Sequence, residues 1–256
     1  MSFVSLLGVE WKKIRRSKIM LIFSVAVIAL WLPSIFNADM NFQMQVEGIL
    51  PEYNFLIQGF LAMSWFIFPA SMVVCTVLLS QTERSNKGIL KMLSIPISTP
   101  KLCMAKFVVL LILAAVQVLM SVGMYYVGAA IVTKMQGYNF ILLPSLVFKE
   151  AGLLLLSSLP MLAFFWLLSV CIQTPIFSVG IGLASIVPSV LLINTKVWFA
   201  YPMAYPFFVI TAEYGKLATN LNTAQVDLVP WLPVAAFITV ACLLIACSCF
   251  GKAERR

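Results

Sequence analysis

Apolar positions run along this chain in six blocks, at residues 19–36, 55–79, 107–132, 151–172, 176–194 and 231–250, and no block contains an Asp, Glu, Lys or Arg. The hydrocarbon slab of a bilayer is about 30 Å thick and a helix rises about 1.5 Å per residue, so a span needs about 20 mostly apolar residues. Each block has about that length. Lipid offers no partner to an unpaired backbone N–H or C=O, so each block must be a helix. The pattern predicts an all-α membrane protein with six transmembrane helices in one domain, residues 1–256. Residues 151–194 are interrupted only by Gln173-Thr174-Pro175 and are about twice the length that one span can use. They must turn back there, with Thr174 as N-cap and Pro175 at the first helical position, where its missing N–H costs nothing.

The polar interruptions carry the rest of the information. In residues 1–18, Phe3, Leu6, Leu7, Trp11 and Ile14 recur at helical spacing while Lys12, Lys13, Arg15 and Arg16 fall largely on other faces. This reads as an amphipathic interfacial helix on the inner leaflet, or as a basic patch that only sets topology. Between the second and third blocks, Glu83, Arg84 and Lys87 lead into Gly88, Ile89, Leu90, Lys91, Met92 and Leu93, a short helix that Pro96 must end. Thr99, with Pro100 after it, restarts the chain as a helix cap. A short helix that is apolar on one side and basic on the other suits a docking partner, or it snorkels among headgroups. Ser178, Gly182, Ser185 and Ser189 form one small-residue stripe on the fifth span, which permits close approach of another helix in this chain or in a second copy. Residues 196–230 interleave Trp198, Phe199, Tyr201, Tyr205, Phe207 and Phe208 with Pro202 and Pro206. That run is too short and broken to span and reads as an interfacial or re-entrant hairpin between spans five and six.

Composition agrees with a membrane protein: 62% of residues are hydrophobic and 10% charged, against about 25% charged in soluble domains. The net charge of +8 raises nucleic acid as a partner, but the placement of the charges points to topology instead. Thirteen of the 17 Lys and Arg residues, Lys12, Lys13, Arg15, Arg16, Lys18, Arg84, Lys87, Lys91, Lys101, Lys106, Lys252, Arg255 and Arg256, fall on one side of the six-span scheme. The opposite side holds four bases against six acids, Asp39, Glu47, Glu52, Glu150, Glu213 and Asp227. The positive-inside rule then places both termini in the cytoplasm, with the bilayer as partner and no nucleic acid. The first block is longer than a signal-peptide core and 36–39 offers no small-residue cleavage pattern. The six cysteines lie in or beside spans, where they read as small apolar packers. With no His in the chain, Cys247 and Cys249 make a poor metal site.

Several chemistries find no residues to carry them. Ion-coupled transport usually keeps ionisable groups within the spans, and the blocks have none; Gln117 is the most interior polar group and reads as a bond to a neighbouring helix. No Ser–His pair, intramembrane aspartate pair, HExxH or GxxxxGK[ST] loop occurs. The chain is therefore expected not to be an enzyme, and any ATP and Mg should be bound on another subunit.

Taken together, these features resemble the membrane subunits of type-2 ABC exporters: six spans, both ends inside, an amphipathic helix before the first span and no ATPase domain. The inner segment carries the resemblance most specifically. Such permeases have a Glu, a Gly about five residues on, a Leu-rich turn, then Pro, Ser or Thr and a base, here Glu83, Gly88, Leu90, Leu93, Pro96, Ser98, Thr99 and Lys101. Glu10-Trp11-Lys12-Lys13 through Arg16-Ser17-Lys18 is similar to their N-terminal motif. The resemblance implies that Glu83, Arg84, Lys87, Gly88, Ile89, Leu90, Lys91, Leu93 and Pro96 form a coupling helix docking on a separate ABC ATPase. It also implies a dimer of permeases, two copies or two paralogues, with spans one and five at the interface; Ser178, Gly182, Ser185 and Ser189 would lie there. The length, the Trp-Lys-Lys start and the Tyr-Pro-rich outer segment look most like the lantibiotic-immunity and bacitracin-resistance permeases of the bacterial plasma membrane. Export of a lipid or other drug, or a non-transporting membrane scaffold, is the alternative.

Overall fold

The computed structural model describes residues 3–15, 17–84, 98–217 and 228–253, and among them every regular element is helical. The helices are α1 (Phe3–Arg15), α2 (Ile19–Phe36), α3 (Pro51–Ala62), α4 (Phe68–Arg84), α5 (Thr99–Gln136), α6 (Pro144–Ser157), α7 (Leu159–Cys171), α8 (Pro175–Ile186), α9 (Pro188–Leu192), α10 (Tyr205–Leu217) and α11 (Leu228–Ala253). Five helical runs, Ile19–Phe36, Pro51–Gln81, Thr99–Gln136, Pro175–Leu192 and Pro230–Phe250, are long and apolar enough to cross a membrane. A sixth is completed if α6 and α7, bent by 41° at one break, count as a single span.

Prolines account for the irregularities. Pro160 lies in the first turn of α7, where its missing N–H and its ring interrupt the ladder carried over from α6. The missing N–H of Pro160 leaves the Leu156 carbonyl without its i+4 donor; at the same turn the hydroxyls of Ser157 and Ser158 donate to Leu154 O and Leu155 O, at 3.1 and 2.7 Å. Between α3 and α4 a π-helical turn, Met63–Ile67, precedes Pro69, and the Phe68 N–H reaches back five residues to the Met63 carbonyl. The fourth helix begins at Pro144, seven residues before the expected 151, because Leu143 is extended and Pro144 supplies a helical first turn. That start brings Lys149 and Glu150 into the helix. Likewise α5 continues past the apolar block at both ends, to Thr99 and to Gln136, and stops where Gly137 takes φ +65° and donates to Thr133 O.

The bundle is fastened around Trp31 of α2, which is fully buried. Its indole Nε1 donates to Ser121 Oγ of α5 at 3.0 Å, and its ring lies 5.6 Å from Phe55 and 5.7 Å from Tyr125. Gly59 makes room for it, since a Cβ there would stand 2.4 Å from the indole. Tyr125 donates to Phe140 O at 3.0 Å and accepts the Leu142 N–H at 3.1 Å, tying the segment after α5 to the core. In hydrocarbon such groups must find partners inside the protein.

After α9, two short 3-10 turns, Trp198–Ala200 and Pro202–Ala204, lead into α10. Trp198 stacks on Phe208 with ring centroids 3.7 Å apart. The Tyr205 hydroxyl donates to Phe199 O, and that of Tyr201 to Ser185 O of α8. At 13 residues α10 is about 20 Å long, short of a full span. It packs on α6 and α3.

Candidate functional site

Of the segment expected to meet a motor subunit, Glu83 and Arg84 form the last turn of α4. Lys87, Gly88, Ile89, Leu90, Lys91, Leu93 and Pro96 lie outside the described residues. The chain re-enters at Ser98, which is the N-cap of α5 in place of the expected Thr99; Thr99 and Pro100 open the helix. The shift follows from Ser98 being the last extended residue, φ −68° and ψ 131°, while Pro100 is accepted in the first turn.

Beside this segment, α1 packs against α5 and carries a buried carboxylate. The buried stripe of α1 is Leu6, Glu10 and Ile14, one residue per turn, whereas Trp11 and Phe3 of the expected apolar face are exposed. Lys106, two turns into α5, donates to Glu10 Oε2 at 2.8 Å, and Lys13 donates to Oε1 at 2.7 Å. Glu10 and Lys106 are each 1% exposed. Burial pushes the Glu10 carboxyl up, but the Lys106 ammonium and the bonds from Lys106 and Lys13 outweigh it and hold the group below its ordinary value. Lys12 lies exposed, Lys13 half-buried; Arg15 ends α1 and Arg16 lies outside the described residues. A small cleft lined by Glu10, Lys13, Ile14, Ser17, Leu78 and Leu79 separates α1 from the end of α4. One carboxylate thus joins the helix leading into the first span to the base of the third, and because Glu10 and Lys106 are both shut off from solvent the pair is a buried one, unlike a solvated surface ion pair.

Inside the bundle, Gln117 of α5 and Ser71 of α4 lie 2.7 Å apart. The Ser71 hydroxyl donates to Gln117 Oε1 and also lies 2.8 Å from Phe68 O of its own helix. The expected helix-to-helix role of Gln117 is met by that contact.

The small-residue stripe of the fifth span faces its own chain. Ser178, Gly182 and Ser189 are buried, and a Cβ on Gly182 would stand 2.6 Å from Val73 Cγ1 of α4. Ser185 is half-buried and donates to Gly182 O. The stripe is therefore covered by α4 at Gly182, and the face of α8 and α9 that remains open carries Ile176, Phe177, Ile181, Val187 and Leu191. Small residues alone could not tell which neighbour they admit. Gly182→Ala should lower stability by about 1–3 kcal/mol. Gly180→Ala, whose added methyl meets open space, should be neutral or gain up to about 1 kcal/mol. Melting of the two variants in detergent checks the difference.

At the opposite end of the bundle, Glu213 of α10 accepts from Lys149 at 2.6 Å and from Lys216 at 2.5 Å. Burial raises its carboxyl, and the two lysines more than offset that and hold it low. Tyr138 donates to Glu52 at 2.6 Å. Sequence spacing gave no sign of Glu213 with Lys149, of Tyr138 with Glu52 or of Glu10 with Lys106, because each joins residues 64 or more positions apart.

Residues 6–189 match a family model described as ABC-2 family transporter protein. Neither the curated proteins nor the solved structures yield a match to the chain.

Proposed function

The chain belongs to the ABC-2 family of transporter proteins, and from that membership we propose that it moves an amphipathic antimicrobial peptide, of lantibiotic or bacitracin type, out of the cell membrane. The coarser statement needs no proposal: it is a multi-pass membrane permease of an ABC exporter, and it works with an ABC ATPase. The carrying observation is that the matched region, 6–189, includes both the α1 joint and the segment between α4 and α5.

In this reading ATP and Mg bind on the partner ATPase, the basic end of the bundle is cytoplasmic, and the motor grips residues 83–96. Closure of the motor presses on that segment. α4 and α5 flank it, and Lys106 carries the displacement through Glu10 into α1 and so into the first span. A second copy or a paralogue covers the open apolar faces of α2 and of α8–α9, both of which pack on α4. Cargo leaves the bilayer between these faces. The absence of charge from the open faces suits an amphipathic cargo and a lipid cargo alike; the tyrosine- and proline-rich stretch before the last span favours the peptide-immunity group.

Co-expression of the chain with its ABC ATPase in a sensitive host tests this. Protection against lantibiotics or bacitracin should require both genes. Protection against lipid-like drugs alone would replace the cargo, and protection by the chain without any ATPase would remove the exporter reading.

A further inference from the structure

A cavity of about 190 Å³ opens sideways at the end of α2 that lies away from the basic end, between α2, the 3-10 segment Ala38–Glu47 and α3. Its lining is unusual for a surface facing lipid. Ser34, Asn37, Asn41 and Gln58 supply a polar wall over Pro33, Met40 and Phe55, and among the described residues no Lys, Arg, Asp or Glu contributes.

The hydrogen bonds fix which groups that wall presents. Asn37 Nδ2 donates to Pro33 O at 3.0 Å. Gln58 Nε2 donates to Asn54 Oδ1 at 3.3 Å. Asn54 Nδ2 donates to Asn41 Oδ1 at 2.9 Å, and Asn41 Nδ2 to Ala38 O at 2.9 Å. The Asn37 and Gln58 carboxamides thus each spend one N–H inside the protein and keep the second N–H and the oxygen for a ligand. Both side chains are exposed at the mouth, while Asn41 and Asn54 are buried and hold the wall in place. Ser34 makes none of the bonds to its own helix that Ser24 and Ser71 make, so its hydroxyl is available to a ligand.

An uncharged wall whose exposed carboxamides each present an N–H beside a C=O is the complement of a peptide group, which offers the same two atoms in reverse. A phosphate headgroup would need Lys or Arg here. An ammonium would need a carboxylate once removed from water. We propose that this pocket binds the backbone amides of a peptide lying in the membrane interface, with an apolar side chain or acyl tail resting on Phe55. The proposal rests on the peptide-export reading and locates where the cargo is first held; binding there requires no ATPase.

The test uses the full chain alone in phosphatidylcholine vesicles and a photoactivatable N-octanoyl-glycylglycinamide as probe. Labelling should saturate, fall within 33–58, and be competed by the unlabelled dipeptide amide but not by octyl glucoside or octylphosphocholine. Asn37→Leu with Gln58→Leu should weaken binding about tenfold, and Ser34→Ala, which leaves every protein hydrogen bond in place, should weaken it by a smaller factor. Non-saturable labelling, labelling elsewhere, equal displacement by the glucoside or the phosphocholine, or unchanged binding in the variants would overturn the assignment. Saturable binding in a chain that confers no protection with its ATPase would instead fault the export reading and leave the pocket standing.

Discussion

Glu10→Ala should destabilise the protein by about 3–5 kcal/mol, the cost of leaving a buried charge without its partner, because Lys106 is 1% exposed and its ammonium meets the Glu10 carboxylate at 2.8 Å. Lys106→Met should cost less, since Glu10 keeps Lys13 at 2.7 Å. The double variant Glu10→Gln with Lys106→Met removes both charges and should recover most of the stability that Glu10→Ala loses, as buried ion pairs exchanged for neutral groups of similar size often do. Melting in detergent measures these three values. The carboxyl of Glu10 is held below its ordinary 4.5, so its contribution is complete above that pH and disappears as pH falls through the lower folded value. Wild type and Glu10→Gln should therefore converge in stability only in acid.

Stability alone would make Glu10 a packing residue. A positioning role in coupling requires more: the double variant should melt near wild type and still bind the ATPase, while stimulation of ATP hydrolysis by cargo falls. If the double variant is coupled as well as wild type, Glu10 and Lys106 only hold α1 in place.

Leu90→Pro should reduce ATPase recovered with the tagged chain by more than tenfold while membrane insertion stays normal. In the short helix that the sequence predicts there, proline costs about 3 kcal/mol and removes a backbone donor, while the apolar runs that insert in the membrane are left unchanged in sequence. Glu83→Lys should act in the same direction through charge. Normal recovery of the ATPase with both variants would remove the assignment of residues 83–96 as the docking element, whatever the spans do.

The spans were legible because bilayer thickness imposes a length and a composition that need no tertiary information: α2 runs over 19–36, the bounds of the first apolar block. Where tertiary contacts decide, local pattern misled. The hydrophobic positions of α1 suggested a face through Trp11, but the buried stripe runs through Glu10, a charged residue that only a distant lysine makes tolerable. The small stripe of α8 signalled close packing correctly and could not say that its neighbour is α4. Lys149 and Glu150 were set outside the fourth span because charge was used to end it, whereas Pro144 starts the helix earlier. The polar wall of the cavity was hidden for a similar reason: Ser34, Asn37, Asn41 and Gln58 are scattered polar residues in sequence and form a wall only after α2, the 3-10 segment and α3 pack together.

The most direct test of the central claim, that the basic end of this bundle grips a separate ATPase, is photo-crosslinking from a probe placed at position 90 and, separately, at position 52 in membranes containing both proteins. Crosslinks to the ATPase from 90 and none from 52 are the expected result. Crosslinks from 52, or none from 90 while the complex remains intact, would contradict it.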